Sequence, residues 1–157
     1  MSTTTIRLIL NGDPVTLDVN PLRSLLDVLR DDLHVTSVKD ACGGEGECGA
    51  CTVIMDGRPI LSCMTLAIEC YDKSIETIEG IAEKKHPLID AYVKHHCMQC
   101  GYCTPGFVVT AKALLDRNPK PTEEEIRQAL AGNLCRCGTY PQHITAVQEA
   151  AKRLVNS

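Results

Sequence analysis

Cys42-Gly43-Gly44-Glu45-Gly46-Glu47-Cys48-Gly49-Ala50-Cys51 is the most informative segment of the sequence. It places three cysteines within ten residues, and Cys63 follows after eleven more. Thiolates that share one metal centre must converge on one point, so the backbone between them has to fold back tightly. Glycine permits the positive φ angles and the close backbone approach that such a wrap requires. The stretch therefore predicts a metal-binding loop.

The spacing of this loop indicates the kind of metal centre. It is one residue longer than the plant-type C-x4-C-x2-C run that wraps a 2Fe-2S cluster, and we interpret it as the same kind of loop. A second cysteine set follows in the other half of the chain, so two centres are predicted. Its members are Cys97, Cys100, Cys103, Cys135 and Cys137.

Composition limits the classes of protein and partner. The 157 residues carry a net charge of −4, which argues against nucleic acid or an anionic membrane surface as partner. No apolar run has the length of a membrane span, and no apolar signal segment precedes Ile6. Ten cysteines without a secretion signal favour an intracellular, cytoplasmic chain with reduced thiols, where clustered cysteines bind metal more often than they form disulfides.

The first half predicts a small α+β unit. Two hairpins are expected, residues 5–10 with 15–19 around Asn11-Gly12, and residues 52–55 with 59–61 around Asp56-Gly57. Between them, Ser24 precedes a short amphipathic helix over residues 25–33, and Asp27 is placed to close a capping box. Residues 74–78 read as a last strand.

From Pro87 the apolar residues recur at three- and four-residue steps, which predicts helices without intervening strands. The four helical stretches are residues 88–93, 108–115, 126–131 and 144–155. Thr122 and Glu125 form a capping box before the third, typically worth ~0.5–2 kcal/mol. The sequence therefore predicts two domains, residues 1–79 and residues 80–157, with a polar junction at residues 80–86.

The helical half repeats one arrangement twice. Cys100 and Cys103 lie between the first two predicted helices, and Cys135 and Cys137 lie between the last two. Each connection runs into the N-terminus of the next helix, whose dipole favours bound negative charge. We hypothesise that the two connections meet and close around one four-thiolate site.

Other centres remain open on spacing alone. Four cysteines can hold zinc, although the glycine-rich Cys42 loop fits the paired C-x2-4-C form of zinc knuckles poorly. Cys100 and Cys103 could form a redox-active thiol pair. Cys97, Cys100 and Cys103 copy the first three ligands of a bacterial 4Fe-4S run, with Cys135 or Cys137 as a distant fourth.

A 2Fe-2S cluster bound by Cys100 and Cys103 together with Cys135 and Cys137 uses both cysteine pairs and leaves Cys97 as a spare thiol. Cys97 and Cys70 are then expected to be small buried hydrophobic residues. The five histidines lack the paired His and Cys motifs of a Rieske site, so we expect them to be surface or packing residues.

Taken together, these motifs resemble the iron–sulfur subunit of the molybdenum hydroxylases, the xanthine dehydrogenase family, which includes nicotinate dehydrogenase. The matching segments are residues 41–53, Cys63, residues 99–106 and residues 133–139. The resemblance runs from about residue 6 to residue 154 and rests on two four-cysteine motifs in the family's order. The extra residue between Cys42 and Cys48 is a departure from the usual pattern.

The resemblance implies a plant-ferredoxin-like β-grasp domain followed by an all-α four-helix domain, each with one 2Fe-2S cluster. It implies that the first cluster, on the flavin side, is bound by Cys42, Cys48, Cys51 and Cys63. It implies that the second, on the molybdopterin side, is bound by Cys100, Cys103, Cys135 and Cys137. In such subunits the residues matching Gln99 and Cys137 approach the pterin.

The resemblance also implies an electron-transfer subunit of a heteromeric oxidoreductase, with no substrate chemistry by this chain alone. A molybdopterin-binding large subunit and an FAD-binding medium subunit are the expected partners. Single electrons would pass from molybdopterin through the two clusters to FAD during hydroxylation of an N-heterocycle such as nicotinate or a purine. The alternative is a free two-cluster ferredoxin. Permanent partners predict apolar surface around both cysteine loops, whereas a mobile ferredoxin predicts acidic rims.

Overall fold

Alternating apolar residues build a five-stranded mixed sheet in the first half of the chain. The computed structural model describes residues 3–156, so Met1, Ser2 and Ser157, at the outer limits of the predicted domains, lie outside the described residues. The strands are β1 Thr4–Leu10, β2 Asp13–Val19, β3 Thr52–Met55, β4 Arg58–Leu61 and β5 Ser74–Glu76. Their order in the sheet is β2-β1-β5-β3-β4. β1 pairs parallel with β5, and the other pairs are antiparallel.

Both predicted hairpins are present, and each turn uses two residues with positive φ. Asn11 and Gly12 have φ of 55° and 104°, and Asp56 and Gly57 have 47° and 79°. Two such residues in succession match the twist of the strands that they join. The second strand of the second hairpin, β4, begins at Arg58, one residue before the predicted start.

The predicted first helix is present but changes type along its length. It starts as α1, Leu25–Asp27, and continues as a π-helical turn, Val28–Asp32. The Ser24 hydroxyl accepts a hydrogen bond from the Asp27 amide at 3.1 Å, as a helix cap should. The Asp27 carboxylate accepts from that hydroxyl instead of the Ser24 amide, so the predicted reciprocal capping box is incomplete.

Within residues 3–156, five α-helices follow the sheet, where four were predicted. They are α2 Ile78–Glu83, α3 Pro87–Lys94, α4 Thr104–Arg117, α5 Glu123–Leu130 and α6 Tyr140–Asn156. The last four confirm the predicted helices. The first occupies the predicted polar junction, and β5 ends at Glu76 because Ile78 already begins α2.

Tertiary contacts explain α2. Ile81 is fully buried, and the Asn11 side chain accepts a hydrogen bond from the Thr77 amide at 2.8 Å where the helix begins. A Cβ on Gly80 would lie 2.6 Å from Asn11 Oδ1, so glycine is needed there. The predicted domain boundary between residues 79 and 80 lies within α2 and stays a prediction.

Two hydrophobic clusters form the interior. One packs the sheet against α1 and includes Leu25 and Ile75; the other packs α3, α4 and α6 and includes Phe107. Ile54 of β3 belongs to the helical cluster, so the two halves pack against each other. The predicted α+β class is confirmed. No helix within residues 3–156 is long and apolar enough to cross a membrane.

The two predicted spare thiols lie in these interiors. Cys70 is fully buried in the sheet cluster and Cys97 in the helical cluster. Burial raises the pKa of Cys70 to about 11 and that of Cys97 to about 12. Both therefore behave as small buried hydrophobic residues, as predicted.

Candidate metal centres

The first predicted site is assembled by the glycine-rich loop between α1 and β3. Cys42, Cys48 and Cys51 lie in this loop, and Cys63 lies in the 3-10 turn Ser62–Met64 after β4. Gly43, Gly44, Gly46 and Gly49 all have positive φ, between 70° and 84°. The thiols interact in two pairs, Cys42 with Cys48 and Cys51 with Cys63. The structure thus brings together all four residues predicted for this site.

Backbone amides create a polar environment for Cys42. The N–H of Glu47 contributes most to lowering the pKa of the Cys42 thiol to about 7, with further contributions from Cys48 and Glu45. Burial raises the pKa of Cys63 to about 12, and the neighbouring Cys51 adds to the shift. Thiolates are the form that binds metal, and amide donors to sulfur stabilise their negative charge.

The second predicted site lies where the two helix connections meet. Cys103 immediately precedes α4, and Cys135 and Cys137 precede α6. The Sγ atoms of Cys100 and Cys137 are 3.6 Å apart, and those of Cys103 and Cys135 lie within 4.8 Å of each other. The connections therefore converge as hypothesised. A tetrahedral metal with metal–sulfur bonds of about 2.3 Å would separate two of its sulfurs by roughly 3.8 Å, close to the first of these distances.

Hydrogen bonds also polarise this site. Burial alone would raise the pKa of Cys135, but hydrogen bonds from the hydroxyl and amide of Thr139 outweigh it and lower the pKa to about 7. The Tyr102 amide is the main cause of a lowered pKa at Cys100, with Cys137 next. Cys103 differs, since burial raises its pKa to about 12.

Three side chains that the sequence does not predict as site residues lie next to Cys135. Thr139 Oγ1 lies 3.3 Å from Cys135 Sγ and 3.1 Å from His143 Nε2. The Tyr140 hydroxyl accepts a hydrogen bond from the Cys135 amide at 2.8 Å. His143 is fully buried, so it is a packing residue as expected, but it also contacts the surroundings of Cys135. The four-residue step from Thr139 to His143, directly after Cys137, was the available signal.

The two sites are joined by short contacts. The Leu134 amide donates to the Cys48 carbonyl at 2.9 Å, and Asn133 Nδ2 donates to the Gly49 carbonyl at 3.0 Å. A Cβ on Gly106 would lie 2.4 Å from the Gly49 oxygen, so this contact requires glycine. The two cysteine loops therefore touch through backbone atoms.

Gln99, the residue predicted to approach a pterin, lies on the surface. Gln99 is exposed next to the exposed Cys100. Its role towards a pterin stays a prediction, as does the ligand role of each cysteine.

The chemistry of the donors fits 2Fe-2S clusters. Each site offers four thiols in two pairs, and two iron atoms with two protein thiolates each require that arrangement. The thiol-pair and 4Fe-4S alternatives fit less well, because Cys100 pairs with Cys137 instead of Cys103 and Cys97 lies in the helical core. A ring nitrogen of His143 also lies within 4.8 Å of the Cys103 and Cys135 Sγ atoms, and Nε2 is engaged by Thr139 Oγ1 at 3.1 Å.

Comparison with known proteins agrees with this geometry. Residues 8–69 match the family described as "2Fe-2S iron-sulfur cluster binding domain", and residues 77–148 match a further family described as a 2Fe-2S binding domain. The nicotinate dehydrogenase small FeS subunit of Eubacterium barkeri is 49% identical over 99% of this chain and 100% of that protein. The chain belongs to the family of iron–sulfur small subunits of molybdenum hydroxylases.

Other relatives extend the range of this family. The nicotine 6-hydroxylase small subunit of Paenarthrobacter nicotinovorans is 44% identical over 93% of this chain and 88% of its own length. Among solved structures, quinoline 2-oxidoreductase from Pseudomonas putida matches with a TM-score of 0.88 and 42% identity, over 96% of this chain and 97% of that one. Aldehyde oxidoreductase from Desulfovibrio desulfuricans matches with a TM-score of 0.93 and 44% identity, over 97% of this chain but 17% of the much longer enzyme chain.

Membership of this family confirms several predictions. The iron–sulfur small subunit has a ferredoxin-like domain followed by a helical domain, and it carries two 2Fe-2S clusters. It transfers electrons in a heteromeric oxidoreductase complex with larger partner subunits.

Proposed function

We propose that this small subunit passes single electrons from a molybdopterin-binding large subunit to an FAD-binding medium subunit. The second site would lie on the molybdopterin side, with Gln99 and Cys137 nearest the pterin, and the first site on the flavin side. The proposed ligands are Cys42, Cys48, Cys51 and Cys63 for the first cluster, and Cys100, Cys103, Cys135 and Cys137 for the second. When bound, each 2Fe-2S cluster takes up and releases one electron at a time.

The contact between the two cysteine loops is the observation that carries this proposal. Leu134 is covalently bonded to Cys135, and its amide donates to the Cys48 carbonyl at 2.9 Å. One residue and one hydrogen bond therefore connect a proposed ligand of one cluster to a proposed ligand of the other. Because Gly49 and Gly106 allow this approach, the chain holds its two sites at a short, fixed separation.

Exposed apolar side chains flank both sites and support permanent partners. Met98, Tyr102, Leu134 and Tyr140 surround the second site and are 40–56% exposed. Met64 and Leu66 follow Cys63 closely in the chain and are also exposed. Apolar surface beside an electron-transfer site is expected where a subunit is buried against a stable partner.

The alternative, a free two-cluster ferredoxin, has one feature in its favour. Glu45 and Glu47 are exposed in the first cysteine loop, where a mobile ferredoxin would carry acidic residues. Anaerobic affinity purification of the tagged chain from its native cells separates the two functions. We expect larger flavin- and molybdenum-containing subunits, with four iron and four sulfide per copy of this chain. Recovery of the chain alone, with its iron, would favour the ferredoxin.

A cysteine substitution tests the ligand assignment. We expect Cys100→Ser to remove one of two EPR signals and about half of the iron, because only the second site loses a thiolate. Cys97→Ala is the matched control, since this buried thiol lies outside both sites and both signals should persist. Retention of both signals in Cys100→Ser would contradict the assignment.

We further propose an N-heterocycle as the substrate of the complex and the cytoplasm as its location. The names of the relatives, which include nicotinate dehydrogenase and nicotine 6-hydroxylase, support the first. The ten free thiols support a reducing compartment. Anaerobic addition of nicotinate, a purine or an aldehyde to the purified complex tests the substrate. Bleaching of the 2Fe-2S absorption by the aldehyde alone would overturn this part of the proposal.

A further inference from the structure

A buried hydrogen-bond chain leads from helix α6 to a proposed cluster ligand. His143 Nε2 lies 3.1 Å from Thr139 Oγ1, which lies 3.3 Å from Cys135 Sγ. His143 is fully buried and Thr139 is 4% exposed, so water has little access to either side chain. The Thr139 hydroxyl bridges the imidazole and the sulfur, and a ring nitrogen of His143 lies within 4.8 Å of Cys135 Sγ.

The position of one proton decides the direction in which these hydrogen bonds are donated. A neutral imidazole carries one N–H, on either Nδ1 or Nε2. His143 Nδ1 is buried and has no hydrogen-bond partner among residues 3–156. An orphaned buried N–H is rarer in proteins than an orphaned acceptor, so we assign the proton to Nε2. Nε2–H then donates to Thr139 Oγ1, and the Thr139 O–H is left to donate to Cys135 Sγ.

Packing keeps the imidazole in place. The His143 ring stacks on Phe107 with 3.9 Å between centroids and 6° between planes, and Tyr92 lies against it with a centroid distance of 5.3 Å. A ring held between two aromatic residues cannot turn its other nitrogen towards Thr139 without disturbing the core. The packing therefore fixes which ring nitrogen faces Thr139.

We propose that His143 and Thr139 are positioning residues that raise the reduction potential of the second cluster by directing a hydrogen bond to Cys135 Sγ. The inference rests on the proposed ligand role of Cys135. A hydrogen bond to a ligand sulfur stabilises the more negative, reduced state of an iron–sulfur centre, and hydrogen bonding to sulfur is one of the means by which proteins set such potentials. His143 acts through Thr139, because its N–H occupies the hydroxyl oxygen and leaves the hydroxyl proton for sulfur.

EPR-monitored redox titration of the intact complex tests this inference through two pairs of variants. Thr139→Val removes the hydroxyl at nearly constant volume, and we expect the equilibrium constant for reduction of the second cluster to fall about tenfold, which is 59 mV for one electron. Thr139→Ser should keep the wild-type midpoint. In His143→Leu we expect the same equilibrium constant for reduction to fall about threefold. His143→Gln, which can still donate a hydrogen bond, should restore most of this loss.

The first cluster serves as an internal reference, and its midpoint should not move in any of the four variants. Equal midpoints in Thr139→Val and Thr139→Ser, with full iron content, would overturn the inference. If Thr139→Val fails to bind the cluster, equal midpoints in His143→Leu and His143→Gln would overturn it instead. Survival of both EPR signals in Cys135→Ser would show that the ligand assignment itself is wrong.

Discussion

Asn133 holds the two cysteine loops together through one side chain. It is 3% exposed, and its Nδ2 donates to the Gly49 carbonyl, a partner 84 residues earlier in the chain. The same oxygen accepts from the hydroxyl of Thr52 at 2.7 Å. The side chain therefore fixes the first loop against the second at the place where Leu134 contacts Cys48.

Asn133→Ala should destabilise the iron-loaded subunit. The substitution removes a buried hydrogen bond and leaves a small cavity, so we expect a loss of about 1–3 kcal/mol in unfolding free energy. Anaerobic urea unfolding followed by 2Fe-2S absorption measures it. Asn156→Ala, the same change at an exposed position of α6, is the control and should be near neutral. Equal midpoints for the two variants would contradict the role given to Asn133.

The functional residues that the sequence predicts are marked by their local spacing, whereas those that it does not predict have partners far away in the chain. The cysteines were predictable because their spacing and the glycines between them are local properties of the chain. The roles of Asn133 and His143 depend on contacts made only after folding, with Gly49 and Phe107 respectively. The sequence places His143 just before the predicted helix over residues 144–155 as a surface or packing residue, and it does not indicate that Thr139 links it to sulfur.

Among the elements, those with local signals were predicted and those stabilised by tertiary contacts were not. The Asn-Gly and Asp-Gly turns specify both hairpins, and the Thr122 and Glu125 capping box is formed as predicted. Helix α2 has six residues and depends on the burial of Ile81 and the Asn11 contact at Gly80. So short a helix is marginal by itself, and the polar, charged residues 80–86 predicted a junction instead.

Helix α4 reaches the first cysteine loop only because its first turn contains Gly106. In Gly106→Ala the new Cβ would lie 2.4 Å from the Gly49 oxygen and 3.3 Å from Ala50 Cα, both backbone atoms that cannot rotate away. We expect a loss of about 3 kcal/mol in unfolding free energy, at the upper end of overpacking effects. The electron-transfer rate between the two sites should also fall, because the loops must separate.

Gly132→Ala is the control for this change. A Cβ at Gly132 meets nothing within 4 Å, so the substitution should leave stability unchanged or slightly raised. Urea unfolding gives the stability, and rapid-mixing reduction of the complex gives the rate of transfer. A Gly106→Ala protein as stable as Gly132→Ala would show that the loops are not in close contact.

At the scale of the whole molecule, an ion-pair network joins the sheet to the helices. Glu76 of β5 is bonded by Lys84 after α2 at 2.7 Å and by Lys112 of α4 at 2.9 Å. The Glu76 and Lys112 side chains are only 14% and 15% exposed. Such a partly buried pair is coupled more strongly than a surface pair. Lys112 also pairs with Asp116 at 2.6 Å, so removing Glu76 leaves this lysine with one of its two carboxylate partners.

The pH dependence of stability should reveal this junction. Burial alone would raise the pKa of Glu76, but the hydrogen bonds from Lys84 and Lys112 outweigh it and lower the pKa. A lowered pKa in the folded state means that the ionised carboxylate stabilises the fold above the unfolded value of about 4.3, and that this stabilisation is lost as the pH falls below it. Glu76→Gln removes the charge at every pH.

We therefore expect Glu76→Gln to be less stable than the wild type at pH 7 by roughly 1–2 kcal/mol. The difference should shrink as the pH is lowered through about 4.3, because protonation of Glu76 makes the wild type resemble the variant. Paired urea unfolding curves between pH 7 and pH 3.5 measure the difference and cancel acid effects common to both proteins. Glu123→Gln, which breaks an exposed pair with Arg127, should cost less than about 0.5 kcal/mol. If the Glu76→Gln difference stayed constant or grew in acid, the carboxylate would not be what joins β5 to α4.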